Sequence, residues 1–220
     1  MNIAILIPTI KGREAFLNQA MTLLSEQTLE PAFIEVVDDI PPFEAKQDIA
    51  WKYKIGINRC LDRKADLIIF WEDDDWYRYD YIEFMVKHWV LFSSPDVFGL
   101  SKTIYYNIVK RKYFPVNHPG RASMMSTLIT KNIVPDWEDE RDPWVDITLW
   151  KKKVPNHAFD IPFDNLPTVG IKHGIGNCGG GGHFWSDTKF KYDDVDLWFL
   201  KSMVDADSLN FYSNFYRYES

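Results

Sequence analysis

The stretch Leu67-Ile68-Ile69-Phe70-Trp71-Glu72-Asp73-Asp74-Asp75 joins five apolar residues directly to four acids. The apolar run is too short for a helix and reads as a strand buried on both faces. The acids then fall at its C-terminal end, the edge of an open α/β sheet where ligands bind. Four adjacent carboxylates repel one another, so at least one should hold its proton more tightly than usual. A divalent cation removes that repulsion, and carboxylate oxygens are hard ligands suited to Mg, Mn or Ca. A solvated acidic turn would show the same residues. The buried strand before the acids and Trp76-Tyr77 after them favour a metal site.

Outward from this stretch, the composition limits the choices. The chain has 220 residues, enough for one α/β domain with a sizeable core. At 46% hydrophobic residues it is not a disordered chain. Aromatics reach 16%, with nine Trp, which suits both an aromatic core and the stacking of planar groups such as sugars or bases. A net charge of −7 sets the average surface against nucleic acid. Two cysteines, Cys60 and Cys178, make neither a disulfide framework nor a zinc cluster, and the simple expectation is a cytoplasmic protein. The N-terminal run lacks the basic and small-residue features of a signal peptide. No apolar run approaches the roughly 20 residues that span a bilayer.

The chain alternates strand and helix up to about residue 95. Ile3–Ile7 reads as a buried strand and Phe33–Val37 as a second. Helical spacing runs from Glu14 to about Gln27 through Phe16, Leu17, Ala20, Leu23 and Leu24. Ile49, Tyr53, Ile57, Cys60 and Leu61 mark another helix, with Lys52, Asn58 and Arg59 on its polar face. Asp80 is placed to cap a third, whose apolar face is Tyr81, Phe84, Met85, His88 and Leu91. This order predicts a parallel, Rossmann-like sheet. Shorter strands are expected at Val97–Leu100, Ile104–Val109, Lys112–Val116, Met124–Thr130 and Thr168–Lys172. Helices are expected at Pro143–Trp150 and Val195–Val204, followed by an aromatic tail (Phe211, Tyr212, Phe215, Tyr216, Tyr218) that could pack on a neighbouring molecule. The expectation is a single α/β domain over 1–220: a mixed sheet flanked by helices, with a nucleotide-binding half (1–95) and an acceptor-binding half (96–220).

Three stretches in this order carry a resemblance. Ile3–Thr9, Ile34-Glu35-Val36-Val37-Asp38-Asp39 and Gly56 through Asp75 resemble family 2 glycosyltransferases of the GT-A fold, with Glu72-Asp73-Asp74 at the Asp-X-Asp position. The resemblance implies a GT-A domain that moves a sugar from a nucleotide-sugar donor, a UDP-sugar foremost, with Mn or Mg bound. It implies Asp38 or Asp39 at the base, and places Thr9, Arg13, Lys54, Glu72, Asp73 and His183 around the donor. Asp74, Asp75 and His173 are the implied metal ligands. Glu72 departs from the family's usual Asp, and its longer side chain would reach the ribose or a water-bridged metal.

In the second half, Asp142-Pro143-Trp144-Val145-Asp146-Ile147 fits the place where family members carry the base of an inverting reaction. Asp146 is the candidate base, with Glu138, Asp139 and Asp142 as rivals. The run His173-Gly174-Ile175-Gly176-Asn177-Cys178, continuing through Gly179–Gly182 to His183, permits close backbone approach to a ligand or a moving lid. His88, on an apolar face, is expected in or beside the core. Lys11, Arg13 and Lys54 are candidate phosphate contacts. Lys110-Arg111-Lys112 and Lys151-Lys152-Lys153 read as solvated surface or as a patch for a DNA acceptor. The acceptor is therefore a glycan or a hydroxymethylated DNA base. A nucleotidyltransferase and a non-catalytic sugar- or nucleotide-binding module are the alternatives. The first lacks its glycine-rich basic loop here, and the second has no need of several ligands converging on one ion.

Overall fold

The computed structural model describes residues 1–43, 48–134, 144–175 and 190–215. The elements run β1 (Ile3–Pro8), α1 (Glu14–Ser25), β2 (Phe33–Val37), α2 (Ile49–Asp62), β3 (Leu67–Phe70), β4 (Trp76–Tyr77), α3 (Tyr81–Leu91) and β5 (Val97–Leu100). They continue with β6 (Lys102–Asn107), β7 (Lys112–Asn117), β8 (Thr127–Thr130), α4 (Val145–Trp150), β9 (Asn156–Phe159), β10 (Thr168–Lys172), β11 (Tyr192–Asp193), α5 (Trp198–Met203) and α6 (Ala206–Ser213).

Among the described residues, six strands form one sheet in the order β2-β1-β3-β8-β5-β9, and five form another in the order β11-β7-β6-β10-β4. As expected, β1, β2 and β3 are parallel. β8 runs antiparallel to both β3 and β5, which makes the sheet mixed. The continuous apolar runs of β1 and β3 follow from burial on both faces. Ile3, Ile5 and Ile7 pack with Phe16, Ala20, Leu23 and Leu24 of α1, while Ala4 and Leu6 pack with Ala50, Tyr53, Ile57 and Cys60 of α2. Strand alternation sends each set to its own side. The close approach of α2 depends on Gly56, where a Cβ would stand 2.3 Å from Leu6 Cδ1 and 2.9 Å from Val37 Cγ2.

Several expectations are corrected. Lys52 is buried rather than on the polar face of α2, because its ammonium has two backbone carbonyls to hold it. Asp80 stands at the N-cap of α3 but its side chain makes no capping bond, because the Arg78 guanidinium takes both its oxygens, at 2.5 and 3.0 Å. Leu91 lies exposed at the end of that helix. Met124–Ser126 is a 3-10 turn, and only Thr127–Thr130 is extended. The helix expected from Val195 begins at Trp198, where Asp194 accepts the backbone N–H groups of Phe199 and Leu200. β9 went unforeseen because Asn156-His157-Ala158-Phe159 has no apolar alternation. Phe211 and Phe215 of the aromatic tail pack back on Phe16, with ring centroids 5.7 and 4.8 Å away. Tyr216 and Tyr218 lie outside the described residues. His88 is half-buried and stacks on Phe159, as its boundary position predicts.

Candidate functional site

The acidic turn follows β3 directly. Trp71 N–H donates to Leu6 O, extending the pairing with β1 to the last apolar residue. The chain then turns, with Asp75 N–H reaching Glu72 O at 3.4 Å, and returns as β4, antiparallel to β10. Trp71 stacks on Tyr77 at 3.8 Å between centroids, and the Tyr77 hydroxyl accepts Glu72 N–H at 2.8 Å. The Trp76 indole N–H donates to Asp205, the residue that caps α6. Strand, aromatic stack and C-terminal helix thus fix the turn from three sides. Asp73, Asp74 and Asp75 are each at most 3% exposed.

Burial without compensation would be prohibitive for carboxylates. Arg13, just before α1, forms ion pairs with Asp73 at 2.7 Å and with Asp74. Thr9 Oγ1 donates to Asp73 at 2.6 Å from the end of β1. Asp75 Oδ1 accepts the backbone N–H of Ile171 at 2.7 Å and lies 3.9 Å from Lys172 Nζ. Asp75 Oδ2 is buried with no hydrogen-bond donor among the described residues. Tyr53 OH approaches Glu72 at 3.4 Å.

The acids titrate far apart. Burial pushes the Asp73 carboxyl up to about 7, against the pull of Arg13. Burial raises Asp75 strongly as well, with the Asp74 and Glu72 charges adding and Lys172 opposing. Glu72 is raised by burial, opposed mainly by Lys172. Asp74 goes the other way: burial acts against its charge, but Arg13 and the hydrogen bond from His173 more than offset it.

His173 follows β10 and is buried against the Phe16 ring, 4.0 Å between centroids. Its Nδ1 accepts Ile175 N–H at 3.2 Å, and Nε2 lies 2.9 Å from Asp74 Oδ2. Burial lowers its pKa, although Asp74 opposes that. Assigned from these bonds, the neutral ring carries its proton on Nε2 and donates it to Asp74. The described residues whose ligand atoms converge are Glu72, Asp74 and Asp75, with those atoms within 4.8 Å of one another. His173, expected as a ligand, lies outside that group and is hydrogen-bonded to Asp74, a contact of the kind that orients metal-binding carboxylates. The convergent acids and the orphaned Asp75 oxygen fit a hard divalent cation.

The other expected residues separate. Asp39 is half-buried at the end of β2 and receives a two-pronged bond from Arg59, at 2.6 and 2.8 Å, while Asp38 is exposed. Lys54 is half-buried on α2 and Lys11 exposed. His183 and the rival acids Glu138, Asp139 and Asp142 lie outside the described residues, as does the glycine run from Gly176. Asp146, in the first turn of α4, is half-buried and paired with Arg121. Burial raises its pKa, and Arg121 opposes. Burial raises the pKa of the Tyr105 hydroxyl, with the charges of Glu72, Asp75 and Asp146 adding and Arg121 opposing. A Cβ at Gly170 would stand 2.6 Å from the Tyr105 ring, so β10 carries glycine where that ring lies across it.

Sequence reasoning missed Lys52, Lys172 and Arg121. Lys52 Nζ donates to Thr9 O at 2.8 Å and Asp39 O at 2.9 Å, tying the ends of β1 and β2 together. The available signal was the surplus of acids, which calls for buried cations from elsewhere in the chain. Nothing in the sequence said which ones.

No protein-family model matches the chain, and no curated protein matches it. Among solved structures the chain is similar to S. aureus TarS residues 1–349 in complex with UDP-GlcNAc, at 10% identity and a TM-score of 0.49, covering 74% of this chain and 60% of that one. It is similar to A197 from STIV, at 15% identity and a TM-score of 0.45, covering 73% and 82%. A third likeness is to a glycosyltransferase involved in the glycosylation of the major capsid of PBCV-1, at 9% identity and a TM-score of 0.47, covering 76% and 84%. Against a longer TarS structure, the chain spans 22% of that chain's length.

Proposed function

We propose that the protein is a metal-assisted glycosyltransferase that moves a sugar from a nucleotide-sugar donor, a UDP-sugar foremost, to an acceptor hydroxyl with inversion. The observation that carries this reading is the convergence of Glu72, Asp74 and Asp75 at the C-terminal end of the central parallel strands, beside the half-buried Arg13. Four carboxylates face two fixed cations, the half-buried Arg13 and the buried Lys172. The remaining negative charge is what a divalent ion answers.

Mn or Mg would be held by Asp74 and Asp75, with Glu72 beside them. Bound there, the ion supplies Lewis-acid neutralisation of a diphosphate leaving group. Thr9 and Arg13 lie at the mouth of β1 and fix Asp73 and Asp74 in place. Arg13 Nη2 carries a donor array suited equally to carboxylate and to phosphate. Asp38 and Asp39, at the end of β2, lie on the same sheet edge, where the base of the nucleotide would sit. Asp146 takes the acceptor proton as the glycosidic bond breaks. Its raised pKa strengthens it as a base relative to an exposed aspartate, and Arg121 keeps it ionised.

The acceptor we favour is a glycan. In the basic run that would serve DNA, Arg111 donates to Val195 O at 2.7 Å and Lys112 pairs with Asp193 at 3.2 Å. A thermal-shift panel of nucleoside diphosphates and nucleotide sugars, each with and without manganese, tests the donor site. A manganese-dependent rise in Tm with UDP supports it, since a ligand of the folded state alone stabilises that state. The same Tm with every nucleotide, manganese present, overturns it.

A further inference from the structure

Away from the acids, a cavity of about 390 Å³ opens along the edge strand β9. Its lining includes Phe92, 40% exposed, which stacks on His157 with centroids 4.2 Å apart. It also includes Ser101, the exposed Asn117 and Asp160, whose carboxylate Lys102 steadies at 2.9 Å. An aromatic face in one cavity with amide, hydroxyl and carboxylate groups matches a sugar ring. The ring's C–H face lies on the aromatic, and its hydroxyls both donate and accept toward the rim. The volume is within the range of small-ligand sites.

Its position is as telling as its lining. Gly120, in the turn after β7, borders the cavity, and the next residue is Arg121, the partner of Asp146. Arg121 N–H closes that turn on His118 O at 3.2 Å. In the six-stranded sheet, β8 and β5 lie between β3, which leads into the acids, and β9, which borders the cavity. At the usual strand spacing that is roughly 10–15 Å.

We propose that this cavity is a saccharide-binding subsite that grips an oligosaccharide acceptor at a unit remote from the reacting hydroxyl. The chain between that unit and Asp146 passes the Pro119–Arg121 turn. The acceptor's identity rests on the glycosyltransferase reading; the binding of a saccharide at this cavity does not.

The test is saturation-transfer NMR and calorimetry with three- to five-unit oligosaccharides of N-acetylglucosamine, glucose, mannose and galactose, without nucleotide or metal. At least one series should bind the wild-type protein at millimolar concentrations. Asn117→Ala should weaken that binding roughly tenfold, as the loss of a good hydrogen bond does. Asn117→Trp, which fills the cavity from an exposed position, should abolish it, with Tm unchanged in both variants. Asp74→Asn should leave it intact. Binding of no oligosaccharide, or equal binding by both Asn117 variants, overturns the subsite. Failure of UDP to bind with manganese, while Asn117-dependent saccharide binding persists, overturns the donor site alone.

Discussion

The acidic turn after β3 and the Arg121–Asp146 pair are both buried or half-buried carboxylate sites, yet they are compensated differently. In the turn, four acids share Arg13 and Lys172, and Asp75 keeps an oxygen with no donor. At Asp146 one carboxylate meets one guanidinium. An unbalanced cluster is built for an ion that completes it. A balanced pair is built to hold one carboxylate in a chosen protonation state. The difference is what the proposed reading asks for, charge neutralisation in the first region and proton transfer in the second.

Substituting Asp74 breaks the comparison hardest. Asp74→Asn should lower sugar transfer by roughly a thousandfold or more, the scale of several kcal/mol lost with a Lewis acid. The manganese-dependent Tm shift with UDP should vanish with it. A variant that keeps either turnover or the shift would remove the acidic turn from the chemistry. Asp146→Asn should cost less, about 10²- to 10⁴-fold in kcat. It should also leave the manganese–UDP shift untouched, because the pair lies outside the ion's ligand set. Loss of that shift in Asp146→Asn would mean the two regions are not separate.

Much of the first region was legible in sequence, because its elements obey local rules. Uninterrupted apolar strands, a 3.6-residue helix stripe and four consecutive acids specify a parallel sheet with a charged edge. Asp74 and Asp75 could be named as candidate ligands from the resemblance, and both lie among the converging acids. What compensates them could not. Lys172 closes a fully buried strand and Arg13 sits in a short basic loop, and only the tertiary fold turns both toward the acids. His173 was legible as a neighbour of the site. Its role depends on Ile175 N–H claiming Nδ1, a bond no spacing reveals. The second region was less legible still. Asp146 is visible at a helix start, whereas Arg121 comes from a turn 25 residues away and gives no signal at all.

Removing Arg121 sharpens the comparison. Arg121 lowers the Asp146 pKa against the raising effect of burial. In Arg121→Met the carboxylate loses its cation, so its pKa rises further. The acid limb of the kcat/KM profile should then move to higher pH, by roughly one unit, the size an adjacent opposite charge exerts. The manganese–UDP shift should remain. An acid limb that stays in place would show that Asp146 is not the group whose ionisation limits transfer.

The smallest effect is on stability without metal, and its sign distinguishes the two regions cleanly. Asp73 is raised to about 7, and Glu72 and Asp75 are raised as well, so between about pH 4 and 7 the folded state holds protons that the unfolded chain has released. Stability then falls as pH rises through that window, because the slope follows protons bound in the unfolded minus the folded state. Asp74, held low, gives the opposite slope, but only in more acid solution. The metal-free protein should lose several degrees of Tm between pH 5 and pH 8, the scale of a few kcal/mol in a chain this size. Saturating manganese should flatten the slope, since an ion that replaces the protons removes their linkage. In Asp75→Asn the metal-free slope should shrink as well, while manganese loses its effect. A Tm that rises over the same window without metal would mean that the acids enter the fold fully ionised. The exchange of protons for a metal ion would then have no protons to displace, and the flattening by manganese that separates the first region from the Arg121–Asp146 pair would disappear.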